Sequence, residues 1–171
     1  MQLGRIELNL TTPPSPSPAP SLPDSLQLIG AHGGAGTSTL AVLLGGARDL
    51  GTTDHVPEAS DTPMVLVARN TVPGSRRAVT ARHYLGRVGH QVRVLAIVDD
   101  GFGEPRDASS RFALLAPQVA GVVRVPFMAA LRLTTDPGRV SVPSRVRRAL
   151  DRIAALAAAP PVSASESTRG R

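Results

Sequence analysis

Short apolar runs and segments of helical spacing alternate along this chain, and together they predict strands and helices in turn. The apolar runs predict β-strands at 25–29, 64–69, 92–100 and 121–127. The run at 64–69 is continuous, which is typical of a strand that is buried on both faces. Helical spacing predicts α-helices at 38–50, 73–89, 107–120 and 141–159, and a short helical turn at 128–134.

Punctuating residues set the expected ends of these helices. Gly51 follows the last periodic residue of the first helix and is expected to stop it. Pro117 is expected to kink or end the third helix, because proline lacks the N–H that a helix interior needs. Ser141 or Ser144 is the expected cap of the last helix.

The order of elements predicts an α/β fold with a short, mainly parallel sheet between helices, in three layers. Each crossover between parallel strands requires a helix on one face of the sheet. Ligands of such sheets bind at the carboxyl ends of the strands. The glycine-rich stretch at 30–39, GAHGGAGTST, follows the first predicted strand and is therefore expected at that edge.

Composition divides the chain into a folded unit and two tails. Residues 1–23 contain the Pro/Ser-rich stretch TTPPSPSPAPSLP and are expected to form a disordered arm. Within that arm, RIELNL (5–10) alternates polar and apolar residues, so it is either a short strand or a peptide that pairs with a partner. The folded domain is expected at 24–159, and 160–171 is expected to be a disordered tail.

The chain has no cysteine, which excludes disulfides, thiolate metal sites and cysteine nucleophiles. No apolar run approaches the roughly 20 residues of a membrane span, and the first 20 residues lack the apolar segment of a signal peptide. We therefore expect a cytoplasmic protein with no membrane span. All 19 basic residues are arginine, and the net charge of +6 allows weak, salt-sensitive attraction to DNA or to other acidic partners.

The stretch at 30–39 has most features of a phosphate-binding loop. Gly33, Gly34 and Gly36 allow backbone N–H groups to converge on an anion, and a helix is predicted from Ser38. The pattern G-x-x-x-x-G-K-[ST] would supply a lysine to the phosphates and a hydroxyl to Mg²⁺. Aligned on Gly36, the lysine position holds Thr37 and the hydroxyl position holds Ser38. A simple glycine-rich βα turn is the alternative.

HGGAGTST (32–39) resembles the deviant Walker A loop of the ParA/MinD-like P-loop ATPases, K-G-G-x-G-K-[ST]-T. The glycines, Ser38 and Thr39 match, whereas His32 and Thr37 replace the family's two lysines. Weaker similarities cover 64–85, 92–105 and 121–132, so that the resemblance extends over about residues 25–157. Abundant Ala, Gly, Pro and Val and the absence of lysine are typical of a very GC-rich genome, such as an actinobacterial one.

The resemblance implies an ATP site at Gly33, Gly34, Gly36, Thr37, Ser38 and Thr39, and it also implies a loss of chemistry. Family members place two strands with essential aspartates between the first helix and the late strand. Here GTTDHVPEASDTP (51–63) fills that interval with Asp54, Glu58 and Asp61 but no apolar strand. Without lysines and placed carboxylates, phosphoryl transfer loses its electrostatic support. No catalytic residue and no meaningful ATPase activity are therefore expected.

Other polar residues carry weaker hypotheses. The four histidines, which include His32, have no ligand spacing, so that no metal site is predicted. Asp99 and Asp100 end a strand and are interpreted as a turn, with a base or metal contact as the alternative. Arg145, Arg148 and Arg152 share one helical face, which is either a solvated surface or a contact to nucleic acid.

Three functions follow from this sequence as hypotheses. The first is a non-catalytic ParA/MinD-like domain that acts as an accessory or regulatory interaction protein. Its expected partner is a protein, such as an active ATPase or a secretion or partitioning assembly. The second is a nucleotide-binding dimerisation switch that does not hydrolyse its ligand, and the third is a non-specific DNA-associated protein of partitioning type.

Overall fold

Strands and helices alternate along residues 26–56 and 62–159, which are the part of the chain that this computed structural model describes. The strands are β1 (Gln27–Gly30), β2 (Arg48–Thr52), β3 (Met64–Arg69), β4 (Val92–Val98) and β5 (Gly121–Val125). The α-helices are α1 (Thr37–Leu43), α2 (Val72–Arg87), α3 (Arg106–Leu115) and α4 (Ser144–Ala158). Single 3₁₀ turns lie at Thr53–His55, Ala116–Gln118, Ala129–Leu133 and Pro137–Arg139. The expected tails at 1–23 and 160–171 lie outside the described residues.

The five strands form one parallel sheet in the order β2-β1-β3-β4-β5. β3 lies in the centre of the sheet and pairs with β1 on one side and with β4 on the other. Residues 64–68 of β3 are all 0% exposed, which confirms the strand that the continuous apolar run predicted.

Helices cover both faces of the sheet, so that the fold has the three α/β layers that the sequence predicted. On one face, α1 and α4 pack against side chains such as Leu28, Val65 and Val123. On the other face, α2 and α3 pack against the alternate positions, which include Ile29, Leu66 and Leu95. Neighbouring residues of a strand therefore belong to opposite apolar cores.

The predicted first helix is wrong in its second half. α1 ends at Leu43, because Gly45 and Gly46 adopt φ values of 82° and 95° and turn the chain out of the helix. Residues 48–52 then form β2, which pairs with the free side of β1. Gly51 does not stop a helix: it lies in β2 with φ 76°, where the register between the two strands shifts.

The expectation that no strand lies between the first helix and the run at 64–69 is wrong, because β2 lies there. One strand is present there, although its residues alternate little and three of the five are exposed. Such a strand has no apolar signature, because it lies at the edge of the sheet and faces solvent. Glu58 and Asp61 lie outside the described residues.

The remaining elements match the sequence within a few residues, with one exception at a helix cap. Pro117 lies in a 3₁₀ turn directly after α3, which confirms that the helix ends there. The turn predicted at 128–134 is the 3₁₀ helix Ala129–Leu133. The prediction of a serine cap for the last helix is wrong, because Pro143 occupies the cap position of α4 without a side-chain hydrogen bond. Across the described ranges, no helix is long and apolar enough to cross a membrane.

Replacement of a leucine that lies under the α2–α3 layer tests this two-sided core. Leu66→Ala is expected to lower the free energy of unfolding by about 2–5 kcal/mol, since it leaves a cavity in a fully buried strand. Leu114→Ala, at a position that is 68% exposed on α3, is expected to change that free energy by less than about 0.5 kcal/mol. Urea unfolding of both variants measures the difference, and equal losses would contradict the layer assignment.

Candidate functional site

The glycine-rich loop lies at the point where the strand order reverses. From β1 the chain moves outward to β2 on one side, whereas β3, β4 and β5 follow one another on the other side. The crevice between the carboxyl ends of β1 and β3 is where parallel α/β sheets hold ligands. Residues 31–36 follow β1 into this crevice, and Asn70 and Thr71 follow β3 into it.

The backbone of the loop is curled at the glycines that the sequence singled out. Gly34 and Gly36 adopt φ values of 75° and 98°, a left-handed conformation that other residues rarely adopt. Gly33 and Gly34 are exposed, and a Cβ atom on either would meet no atom within 4 Å. Gly36 lies instead against Val98 at the end of β4, so the loop extends over the ends of β3 and β4.

Thr37 and Ser38 point to different environments. Thr37 is 8% exposed, and its hydroxyl lies 2.6 Å from the place where a Cβ atom on Gly30 would stand. Thr37, which the resemblance aligns with a lysine, is therefore packed beneath the loop against β1. Ser38 is exposed and Thr39 is half-buried in the first turn of α1.

The imidazole of His32 connects the loop to the end of β3. Its Nδ1 atom lies 2.8 Å from the carbonyl oxygen of Gly33, and the backbone N–H of Arg69 donates to Nε2 at 3.5 Å. A neutral ring with the proton on Nδ1 satisfies both contacts. The His32 side chain is thus bonded both within its own loop and to the end of β3.

Arg69 is a cationic residue that the sequence analysis did not assign to the site. It is exposed, and it is paired in register with Val98, the residue that Gly36 contacts. It follows Val65 and Val67 on the face that α1 and α4 cover, because alternate residues of a strand share a face. In the sequence, Arg69 is the polar residue that ends the apolar run 64–69, and this position could have identified it as a site residue.

A buried acceptor lies beside Arg69. Asn70 is 5% exposed and its backbone N–H donates to the carbonyl oxygen of Val98 at 2.8 Å. Its Oδ1 atom has no hydrogen-bond partner among the residues that the structure describes. A buried acceptor at a crevice is normally satisfied by water or by a ligand.

The aspartates near the crevice are engaged in local turns. Asp99 Oδ1 accepts from the N–H of Gly101 at 3.0 Å, and Asp100 Oδ1 accepts from that of Phe102 at 3.1 Å. The turn interpretation of this pair is therefore confirmed. Asp54 accepts from the hydroxyl of Thr52 at 3.1 Å, directly after β2. Across 26–56 and 62–159, no three His, Cys, Asp or Glu residues are grouped to hold a metal ion.

An exposed apolar surface adjoins the crevice where β4 and β5 end. The guanidinium of Arg132 lies 4.8 Å from the ring centroid of Phe127 and donates to the carbonyl oxygen of Asp100 at 3.3 Å. Phe102 and Leu133, each next in sequence to a residue that contacts the Phe127 ring, are 85% and 89% exposed. We call Phe102, Phe127, Arg132 and Leu133 the carboxyl-end patch. Sequence reasoning missed it, because its residues come from separate loops.

The arginine stripe predicted on the last helix is divided in the structure. Arg145 donates to the carbonyl oxygen of Phe127 at 3.4 Å. Arg148 and Arg152 instead line a groove beside β5. The hypothesis that the stripe contacts nucleic acid stays a prediction.

Comparisons of the chain with protein-family models, with curated proteins and with solved structures found no match.

Two glycines of the loop give a matched test of its conformation. Gly36→Ala is expected to lower the free energy of unfolding by about 1–2 kcal/mol, because alanine is strained at φ 98°. Gly33→Ala adds the same methyl group into open space and is expected to cost less than about 0.5 kcal/mol. Thermal or urea unfolding separates the two, and equal stabilities would show that the loop does not hold this backbone.

Proposed function

We propose that the chain is a degenerate P-loop domain of the ParA/MinD type, which has lost catalysis and acts as an accessory or regulatory interaction protein. The proposal rests on the two residues that replace the family's lysines, and on the contacts that these residues form. His32 is bonded to Gly33 and to the Arg69 amide, and Thr37 is buried beneath the loop. Neither side chain supplies a fixed positive charge to a phosphate.

The carboxylates support the same proposal. Phosphoryl transfer needs groups that hold Mg²⁺ and orient the attacking water, and it depends almost entirely on positioning and electrostatics. Asp54, Asp99 and Asp100 accept hydrogen bonds from residues within two positions of themselves. One oxygen of each is used in a local turn, and the loop amides by themselves offer only partial charges.

The carboxyl-end patch supports the interaction role. Large apolar side chains that are 85% and 89% exposed, beside a cation–π pair, are typical of protein-binding surfaces. The patch lies at the carboxyl ends of β4 and β5, which is the edge of the sheet that also holds the glycine loop. An active P-loop ATPase, or a secretion or partitioning assembly, is the class of partner that the family resemblance implies.

A nucleotide-binding switch without hydrolysis is the second candidate. Two observations favour it: the loop keeps the curled glycine backbone of a phosphate cradle, and Asn70 Oδ1 lacks a partner among the described residues. In that case Ser38, the loop amides and the guanidinium of Arg69 would contact phosphate. This function shares the fold and the loss of hydrolysis with the first candidate, and it differs in binding.

Incubation of the purified chain with Mg²⁺ and ATP or GTP separates these functions. We expect no phosphate release and no change in Tm, because the loop has no lysine and no placed carboxylate. A rise in Tm that Gly36→Val removes, without phosphate release, would favour the switch; a ligand at 100 times its Kd stabilises by about 2.7 kcal/mol. Turnover that Ser38→Ala abolishes would show that the domain is a working ATPase.

Substitutions in the carboxyl-end patch test the interaction role. The double variant Phe102→Ser/Leu133→Ser is expected to fold normally, since both side chains are exposed, and to lose partners that the wild-type chain captures in its native cells. Leu114→Ser/Tyr84→Ser removes exposed apolar groups from α3 and α2 and is the matched control. Quantitative mass spectrometry of the captured proteins is the measurement, and a loss common to both variants would count against the patch.

A further inference from the structure

We infer that the edge of the sheet at β5 is a docking groove for residues 5–10 of the same molecule, which add to it as a sixth strand. β5 is the last strand of the sheet, and among the described residues no strand pairs with its outer side. Parallel strands that end a sheet leave N–H and C=O groups unpaired and ready to bind an extended segment. The inference concerns the outer edge of β5, whereas the glycine loop follows β1, and it does not depend on the proposed function.

A groove of about 560 Å³ follows this edge between α3 and α4. Phe112 and Ala113 of α3 and Ala116, which directly follows it, form one wall, and Val122 of β5 faces the same side. This side of the groove is apolar and is suited to aliphatic side chains.

The opposite wall is cationic. Arg148 and Arg152 of α4 line it, and both are exposed. Within the described part of the chain neither forms an ion pair, whereas Arg124 of β5 is already paired with Glu104 at 2.6 Å. A strand that enters the groove therefore meets apolar groups on one face and two uncompensated positive charges on the other.

Residues 5–10, RIELNL, have the matching two-faced pattern. In an extended strand Ile6, Leu8 and Leu10 share one face, and Arg5, Glu7 and Asn9 share the other. When the aliphatic face lies against the α3 wall, the carboxylate of Glu7 faces the arginines of the α4 wall. The hydrophobic effect favours this orientation, whereas the polar face has no net charge because Arg5 shares it with Glu7.

The connecting chain is long enough for this placement. Residues 11–25 can span about 50 Å when extended, at about 3.3 Å per residue. The start of β1 lies four strand spacings from a sixth strand beyond β5, which is about 19 Å. An antiparallel sixth strand ends at the amino edge of the sheet, where β1 begins, and needs the shortest connection. Antiparallel edge strands on parallel sheets are common.

Because the chain has no cysteine, engineered disulfides report on this contact without background. Leu8→Cys/Ala113→Cys pairs the aliphatic face with the α3 wall, and Leu8→Cys/Thr80→Cys places the second thiol at an exposed position on α2. We expect the Ala113 pair to form an intramolecular disulfide at least about tenfold faster, which corresponds to about 1.4 kcal/mol of preference for the groove. Mass spectrometry and the size of the oxidised product give the readout.

Two outcomes of that experiment would overturn the inference. Equal oxidation rates for the two pairs would mean that the segment samples the surface without seating at β5. Faster formation of covalent dimers than of intramolecular disulfides would mean that a second copy supplies the strand.

Hydrogen exchange gives an independent test that does not require new thiols. In the full chain, Ile6→Asp/Leu8→Asp is expected to speed exchange of the outward-facing amides of β5 about tenfold. A tenfold weaker docking of residues 5–10 exposes these amides about ten times as often. Thr11→Asp/Ser15→Asp, which adds the same charges outside the segment, is the control. β5 exchange that is identical in wild type and both variants would show that the edge is empty or is filled by another molecule.

Discussion

Burial of both faces of β3 is the constraint on which the rest of the structure depends. Its residues 64–68 are wholly inaccessible to water, so helices must cover the sheet on each side. α1 and α4 supply one layer, and α2 and α3 supply the other. Because the chain must change faces to build both layers, the strand order reverses beside β3. The crevice at that reversal exists because of the packing, before any ligand chemistry is considered.

In the loop of that crevice, the conformation of the backbone and the charge of the side chains have different causes. The curled backbone depends on Gly34, Gly36 and the close approach of Thr37 to Gly30, which are steric requirements of the βα turn. Charge stabilisation is a different requirement, and the side chains that meet it in a phosphate loop are absent here. His32 and Thr37 instead make contacts within the fold. Arg69, whose backbone N–H contacts His32, belongs to a different strand.

Two further surfaces are formed by residues outside the loop. The carboxyl-end patch exposes large apolar side chains. Within the described residues, the groove at β5 holds a strand edge without a partner strand and two arginines without an ion pair. Natural sheets protect such edges with charges or with a covering segment. Both forms of protection are present here. Arginines line the groove, and RIELNL has the alternating pattern of a strand that could cover the edge. Interaction through these surfaces needs no catalytic group.

The sequence by itself determined the elements whose signal is local. Continuous apolar runs identified β3 and β4, Pro117 marked the end of α3, and the glycines placed a turn after β1. It did not identify β2, because Arg48–Thr52 has neither an apolar run nor clear alternation, and only pairing with β1 makes it a strand. The inward packing of Thr37, the contact of His32 with Arg69 and the carboxyl-end patch were likewise decided by tertiary structure. Each joins residues that are distant along the chain or depends on what lies under a side chain, and periodicity carries no information about either.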